Sequence, residues 1–140
     1  MENKKRVAAV IVENNKILLI HRIKSEIEYF TLPGGTVEEG EELEDAMRRE
    51  AKEELSIDVE IDRLLFEIES ENRKDWYYLI KKGVNSPKIG GPEAIRMNNN
   101  NQYHLEWISR GEFANMSNFH PATKGADKNK IISLWEEGKL

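Results

Sequence analysis

One stretch of the chain, GTVEEGEELEDAMRREAKEELSI at positions 35–57, does most to limit what it can become. It sets a glycine turn ahead of a helical segment in which Leu43, Met47, Ala51 and Leu55 recur at a spacing of four. An α-helix turns about 100° per residue, so residues three and four apart share a face, and this apolar stripe has to lie against a core. Asp45, Arg48 and Lys52 fall on the opposite side, where solvated charge belongs. Glu50, Glu53 and Glu54 are clustered differently, with Glu50 and Glu54 at the edge of the apolar stripe. Carboxylates packed together repel one another, and beside a core they also lose hydration. The pattern calls for a cation there, and a hard divalent metal is the simplest one.

Composition narrows the metal and the setting. The chain has no cysteine, which excludes disulfides and thiolate sites and leaves oxygen ligands, hence Mg2+ or Mn2+. A length of 140 residues predicts a single domain over 1–140 with a two- or three-layer core. With 34% charged and 39% hydrophobic residues, a soluble globular protein is expected. No run approaches the roughly 18 apolar residues of a membrane span, so no membrane partner is expected. The segment MENKKRVAAVIVEN places basic residues before an apolar stretch, as a signal peptide does. That stretch is short, rich in β-branched residues, and runs into Glu13-Asn14-Asn15 without a small-residue cleavage site, which predicts a first strand and a cytoplasmic protein. A net charge of −5 argues against sequence-independent nucleic-acid binding, while leaving room for a small phosphorylated ligand held through metal.

Along the chain, residues 6–12 and 16–20 are near-continuous apolar runs joined by a good turn sequence. Strands apolar on both sides are covered on both faces, here by helices. Residues 23–29 read as a polar loop, and residues 29–32 as a short strand stopped by Pro33. The main helix is predicted over about 41–55, with acidic residues in its first turn. Residues 57–69 read as a long strand, and 75–81 pair back on it with Trp76, Tyr78 and Ile80 on one face. Residues 82–101 are loop-rich and end in four consecutive asparagines; 102–108 form the last strand. Short and terminal helices are predicted at 113–116 and 128–137. These elements make a mixed α/β domain.

Written out, the helical segment is Gly35-x5-Glu41-x7-Arg49-Glu50-Ala51-x-Glu53-Glu54-x-Ser56-Ile57, preceded by Leu32-Pro33-Gly34-Gly35. This closely resembles the signature of the Nudix hydrolase superfamily, Gly-x5-Glu-x7-Arg-Glu-apolar-x-Glu-Glu-x-Gly-apolar, and the matches run from about Val7 to the Tyr103–Trp107 segment. The four glutamates and the arginine are in register. Ala51 is a small version of the apolar residue, and Ser56 replaces the second glycine. The resemblance, MutT-like in character, implies an α/β/α sandwich with a mixed central sheet.

The resemblance also implies roles. Glu50, Glu53 and Glu54 would ligate Mg2+, and a backbone carbonyl of Gly35 could join them. Glu53, Glu54, Glu93 and Arg49 form the implied catalytic group, in which Arg49 pairs with a carboxylate and holds the helix and glycine loop together rather than doing chemistry. Glu41 either joins the metal network through water or caps the helix N-terminus. Arg22 resembles an arginine that reaches substrate phosphate in family members, a task a guanidinium fork suits, and a solvated strand-end arginine is the other reading. Glu93, in Gly90-Gly91-Pro92-Glu93 ahead of the Tyr103–Trp107 strand, matches the loop glutamate that acts as general base in several members; otherwise a helix glutamate takes that role. His21 is expected to be structural, and neither His104 nor His120 has the spacing of a ligand.

The expected reaction is metal-dependent hydrolysis of a nucleoside diphosphate linked to another moiety. The first expectation is a nucleoside triphosphate or modified nucleotide giving a nucleoside monophosphate and pyrophosphate. ADP-ribose and dinucleoside polyphosphates are the alternatives, although the stretch after the motif, Ser70-Glu71-Asn72-Arg73-Lys74, lacks the proline that marks the ADP-ribose subfamily. A nucleotide-sensing domain without catalysis is a further class, disfavoured by the complete set of glutamates. A small-molecule nucleotide is the expected partner, with the chain a monomer or homodimer.

Overall fold

Alternation along three strands decides the layering. In β1 (Lys4–Val10) and the residues after it, Val7, Ala9 and Ile11 face one side, while Val10 and Val12 face the other. In β3 (Lys16–Lys24), Leu18 points to the first side and Ile17 and Leu19 to the second. In β7 (Arg73–Ile80), Trp76, Tyr78 and Ile80 oppose Tyr77 and Leu79. Strands apolar on both faces have to be covered twice, and they are. Helix α1 (Leu43–Leu55) covers the first side through Ala46, Met47, Ala51 and Leu55. Helices α2 (Arg110–Asn115) and α3 (Ala126–Glu136) cover the second through Phe113, Ile131 and Trp135. The expected α/β/α sandwich is what forms. The computed structural model describes residues 4–83, 87–90, 98, 100–120 and 126–140.

The remaining strands are β2 (Val12–Glu13), β4 (Ile27–Thr31), β5 (Gly34–Thr36), β6 (Ile61–Ser70) and β8 (Asn101–Ser109). They complete two sheets. One is mixed, in the order β5-β1-β7-β6, with β1 parallel to β7 and antiparallel to β5. The other is antiparallel and centred on β3, which pairs with β2 and β4 on one side and β8 on the other. Leu18 N–H donates to the Ile11 carbonyl at 2.9 Å, joining them. The β2–β3 turn places Asn14 and Asn15 at φ 52° and 60°, left-handed values that asparagine tolerates.

Three expectations need correction. The polar loop over 23–29 is a hairpin: β3 continues to Lys24 and β4 starts at Ile27, pairing Ile23 with Glu28 and Lys24 with Ile27. Polarity misled because the polar side chains find partners across the ladder. The glycines after Pro33 form strand β5 on β1, in the register Val7–Gly35 and Ala8–Gly34. A Cβ on Gly34 would run into the Val7 carbonyl oxygen and come within 2.9 Å of Ala8 Cα, so this strand is open only to glycine. The strand over 57–69 starts four residues later, at Ile61, although Ile57 and Val59 still point into the α1-side core.

Among the described residues, no helix is long and apolar enough to cross a membrane.

Candidate functional site

Strand β5 and helix α1 bring the motif together. The β5 backbone is held on β1, and α1 then lies across it with its Glu50–Glu54 edge toward the two glycines. A Cβ on Gly35 would collide with all three atoms of the Glu50 carboxyl group. Gly35 is therefore the residue that lets this carboxylate lie flat on the β5 backbone. Gly34 N–H donates to Glu54 Oε1 at 2.8 Å, fixing a second carboxylate to the same strand.

Arg49 joins the others. Its Nε and Nη2 grip the two oxygens of Glu41 at 2.8 and 3.0 Å, a bidentate fork. Its Nη1 donates to Glu50 Oε1 at 3.0 Å and Glu53 Oε2 at 3.2 Å, and its Nη2 also reaches the Thr36 carbonyl at 2.9 Å. The helix and the glycine strand are thus tied by one guanidinium. The Glu41 fork holds the Arg49 pKa well above its usual range, and the same bond, with the Glu38 N–H, holds Glu41 below the usual carboxylate range. Burial pushes Glu50 up, against the opposing pull of Arg49.

Of the two roles open to Glu41, helix capping does not hold. The N-cap residue is Glu42, with no side-chain cap bond, and Glu41 instead turns back to Arg49 and to Glu38 N–H at 3.0 Å. Ser56 takes the left-handed cap conformation at φ 60°, with its N–H on the Lys52 carbonyl at 3.1 Å. The segment 87–90 then crosses this end, with Lys88 N–H on Leu55 O at 2.8 Å and Gly90 N–H on Glu54 O at 3.0 Å. Gly90 has no room for a Cβ, which would stand 2.6 Å from Ser56 Oγ and 2.7 Å from Glu53 O. Glu93 lies outside the described residues.

The donor set is hard oxygen throughout: Glu50 and Glu53 converge on one Arg49 nitrogen, and Glu54 stands one turn along from Glu50 facing Gly34. That chemistry fits Mg2+. Among the described residues, no three such groups are gathered closely enough to hold an ion as they stand. Part of the positive charge that the sequence called for is supplied by Arg49, whose Nη1 draws Glu50 and Glu53 to one nitrogen.

Arg22 lies on the α1 side of the sheet, because Leu18 of the same strand packs in the α1-side core and side chains alternate. Its guanidinium sits 3.9 Å from the centre of the Tyr103 ring, and Nη1 donates to Asn101 Oδ1 at 2.9 Å. Arg22 is therefore embedded in the ladder rather than solvated at a strand end. His21 points to the other face, stacked on Phe30 at 4.3 Å, with Nε2 against Glu28 and Nδ1 2.5 Å from Glu106, a structural clamp across β4, β3 and β8. His104 bonds Gln102 at 2.8 Å, and His120 stacks on Tyr29 at 4.1 Å.

A second polar group was not foreseen. Beside Gly34, a cavity of about 30 Å³ is lined by Arg6, Arg73, Asp75, Tyr77 and Asp127 among others. Arg73 grips Asp75 through two bonds of 2.7 and 2.8 Å, and Tyr77 hydroxyl donates to Asp127 at 3.0 Å. Asp75 and Asp127 are 4% and 2% exposed. Burial, then Asp127, pushes the Tyr77 hydroxyl far up, and burial lowers Arg6. The Arg73-x-Asp75-x-Tyr77 alternation was the available signal; the partner of Tyr77, fifty residues on, left none.

Comparison with known proteins gives a consistent picture. The model of the NUDIX domain family matches residues 3–127. An ADP-ribose pyrophosphatase from Methanocaldococcus jannaschii is 43% identical over 86 residues, 61% of this chain and 51% of that protein. The chain thus spans about half the length of this curated relative. The solution structure of the E. coli ORF135 protein superposes with a TM-score of 0.70 at 23% identity, covering 98% of this chain and 94% of that one. A MutT NUDIX hydrolase from Burkholderia pseudomallei gives 0.69 at 24%, covering 95% and 98%.

Proposed function

The chain belongs to the NUDIX domain family, and from that premise we propose that it is a Nudix pyrophosphohydrolase. It hydrolyses a nucleoside diphosphate linked to another moiety, with Mg2+ as cofactor and Mn2+ as a substitute. The observation that carries this reading is the seating of Glu50 on Gly35 and of Glu54 on the Gly34 N–H, with Arg49 between Glu41, Glu50 and Glu53. That arrangement gathers Glu41, Glu50 and Glu53 on one guanidinium with Glu54 one turn along, so added positive charge is favoured there. Glu50, Glu53 and Glu54, with the Gly35 carbonyl, would hold the metal, which neutralises phosphate oxygens and lowers the pKa of a bound water. Arg49 aims the carboxylates. Arg22 contributes a guanidinium to the substrate phosphates. Glu93 is the general base in this reading, assigned from the family resemblance of the Gly90-Gly91-Pro92-Glu93 segment.

The substrate is a nucleoside triphosphate or modified nucleotide, cleaved to a nucleoside monophosphate and pyrophosphate. The similarity to the archaeal protein named ADP-ribose pyrophosphatase supports ADP-ribose as the second reading. A magnesium-dependent screen over nucleoside triphosphates, ADP-ribose, dinucleoside polyphosphates and nucleotide sugars separates them. Pyrophosphate release from a triphosphate supports the first reading, and AMP with ribose 5-phosphate from ADP-ribose replaces it with the second. No turnover on any of these with either metal would sink both.

A further inference from the structure

We propose that Tyr103 and Asn101 are positioning residues that hold the Arg22 guanidinium ready for a phosphate group, an inference that rests on the reading of Arg22 as the phosphate contact. Arg22 and Tyr103 are direct cross-strand partners in the β3–β8 register. Leu105 and Trp107, two and four residues on from Tyr103, pack against the α1-side core, so Tyr103 projects to the same face as Arg22. The ring lies under the guanidinium at 3.9 Å, which fixes the plane of the fork, and Asn101 takes one Nη1 hydrogen at 2.9 Å, which fixes its rotation within that plane. Asn101 is itself set by its backbone pairing with Asn98, at 2.9 and 3.1 Å.

What this geometry omits is as informative. Among the described residues, no carboxylate stands within ion-pair distance of Arg22, whereas Arg49 and Arg73 each grip one through two bonds. A guanidinium has five N–H donors. One goes to Asn101, and the tyrosine face consumes none. Among the described residues the result is a half-buried cation whose plane and rotation are set by neutral groups, which leaves its charge and most donors for an anion. An arginine free in solvent loses rotamer entropy on ordering, so presetting the fork strengthens phosphate binding without adding a contact to the phosphate.

The test is a double-mutant cycle on binding of inorganic pyrophosphate with Mg2+, read by titration calorimetry. Arg22→Ala should weaken binding by about 10–100-fold, the range for a charge-assisted contact. Tyr103→Leu should weaken it by about 3–10-fold, and Tyr103→Phe, which keeps the ring face, by less than about 2-fold. Asn101→Ala provides a second variant that leaves the β8 packing untouched, with an expected loss of about 2–5-fold. In the Arg22→Ala background, neither Tyr103→Leu nor Asn101→Ala should weaken binding further. Equal losses in both backgrounds would mean that these residues touch the phosphate themselves, overturning the positioning role while keeping Arg22. Normal binding by Arg22→Ala, or no binding by the parent chain, would overturn the phosphate reading of Arg22 and this proposal with it.

Discussion

Two arginines, Arg49 on α1 and Arg73 on β7, each sit among buried or half-buried carboxylates, and the difference between them separates a working site from a supporting one. Arg73 has a dedicated partner: Asp75 takes both of its bonds, and the neighbouring Asp127 is served by the Tyr77 hydroxyl. Arg49 is shared. Its fork closes on Glu41, and one remaining nitrogen is divided between Glu50 and Glu53, while Glu54 turns to a backbone N–H. Donors and acceptors match around Arg73; negative charge is in excess around Arg49. Burial raises the Glu50 pKa even with the guanidinium beside it. An excess of this kind destabilises the fold unless something cationic is expected to arrive, which makes imbalance a better marker of function than burial.

The largest effect should come from the α1 carboxylates. Glu53→Gln and Glu54→Gln should each lower magnesium-dependent turnover beyond the roughly 10–100-fold that losing a ligand's supporting partner costs. Near-parent rates at saturating Mg2+ would erase the distinction between the two arginines. Next, Asp75→Ala should destabilise the protein by about 2 kcal/mol in thermal unfolding, below the usual figure for a broken buried pair because Arg73 is one-third exposed and can rehydrate. Arg49→Ala should lower the melting temperature by a few degrees, equivalent to about 1 kcal/mol at this chain length, by leaving Glu50 and Glu53 uncompensated. Unlike the Asp75 loss, this one should shrink relative to the parent in added Mg2+, since the extra uncompensated negative charge binds the cation more tightly and tighter binding stabilises the folded state more.

The smallest effect has the opposite sign. Glu50→Gln should raise the melting temperature slightly in metal-free buffer at neutral pH, because glutamine still accepts from Arg49 and carries no charge into a desolvated position. Since the folded Glu50 pKa is raised, its ionisation weakens the fold above that raised value. The penalty is absent below the ordinary carboxylate range, near pH 4, where folded and unfolded forms are both protonated. The gain from Glu50→Gln should therefore fade as the buffer is acidified. A variant less stable than the parent at pH 7 would show that Glu50 is as well matched as Asp75.

The α1 face was legible in the sequence because its information is local. The stripe from Leu43 to Leu55 and the clustering of Glu50, Glu53 and Glu54 are set by helical periodicity, whereas the pairing of Arg49 with a carboxylate is implied by the family resemblance. Ser56 stands where the family signature has a glycine, and its φ of 60° is a left-handed value that glycine adopts more easily. What escaped depends on neighbours far along the chain. The hairpin over 23–29 reads as a loop because Lys24, Ser25, Glu26 and Glu28 are polar, while the strand that pairs Ile23 and Lys24, β8, lies far along the chain. The cavity beside Gly34 escaped for the same reason, since Asp127 meets Tyr77 only once α3 has docked. Periodicity reports which way a side chain points; it is silent about what comes to meet it.

The parallel pairing of β1 with β7 has a consequence in time. One edge of β1 is filled by β5 from the next part of the chain, but the other waits until α1 and β6 have been made and β7 follows them. During synthesis or refolding, β1 therefore presents its apolar half, Val7–Val10, with open N–H and C=O groups, a surface on which another chain can pair. Long-range pairing of this sort is slow because loop closure precedes its reward. The glycine strand hangs on β1, so Glu50 and Glu54 reach their seats on a settled scaffold only after Arg73–Ile80 dock. Truncations ending before Arg73 should accumulate in inclusion bodies, and refolding should restore secondary structure before it restores magnesium response.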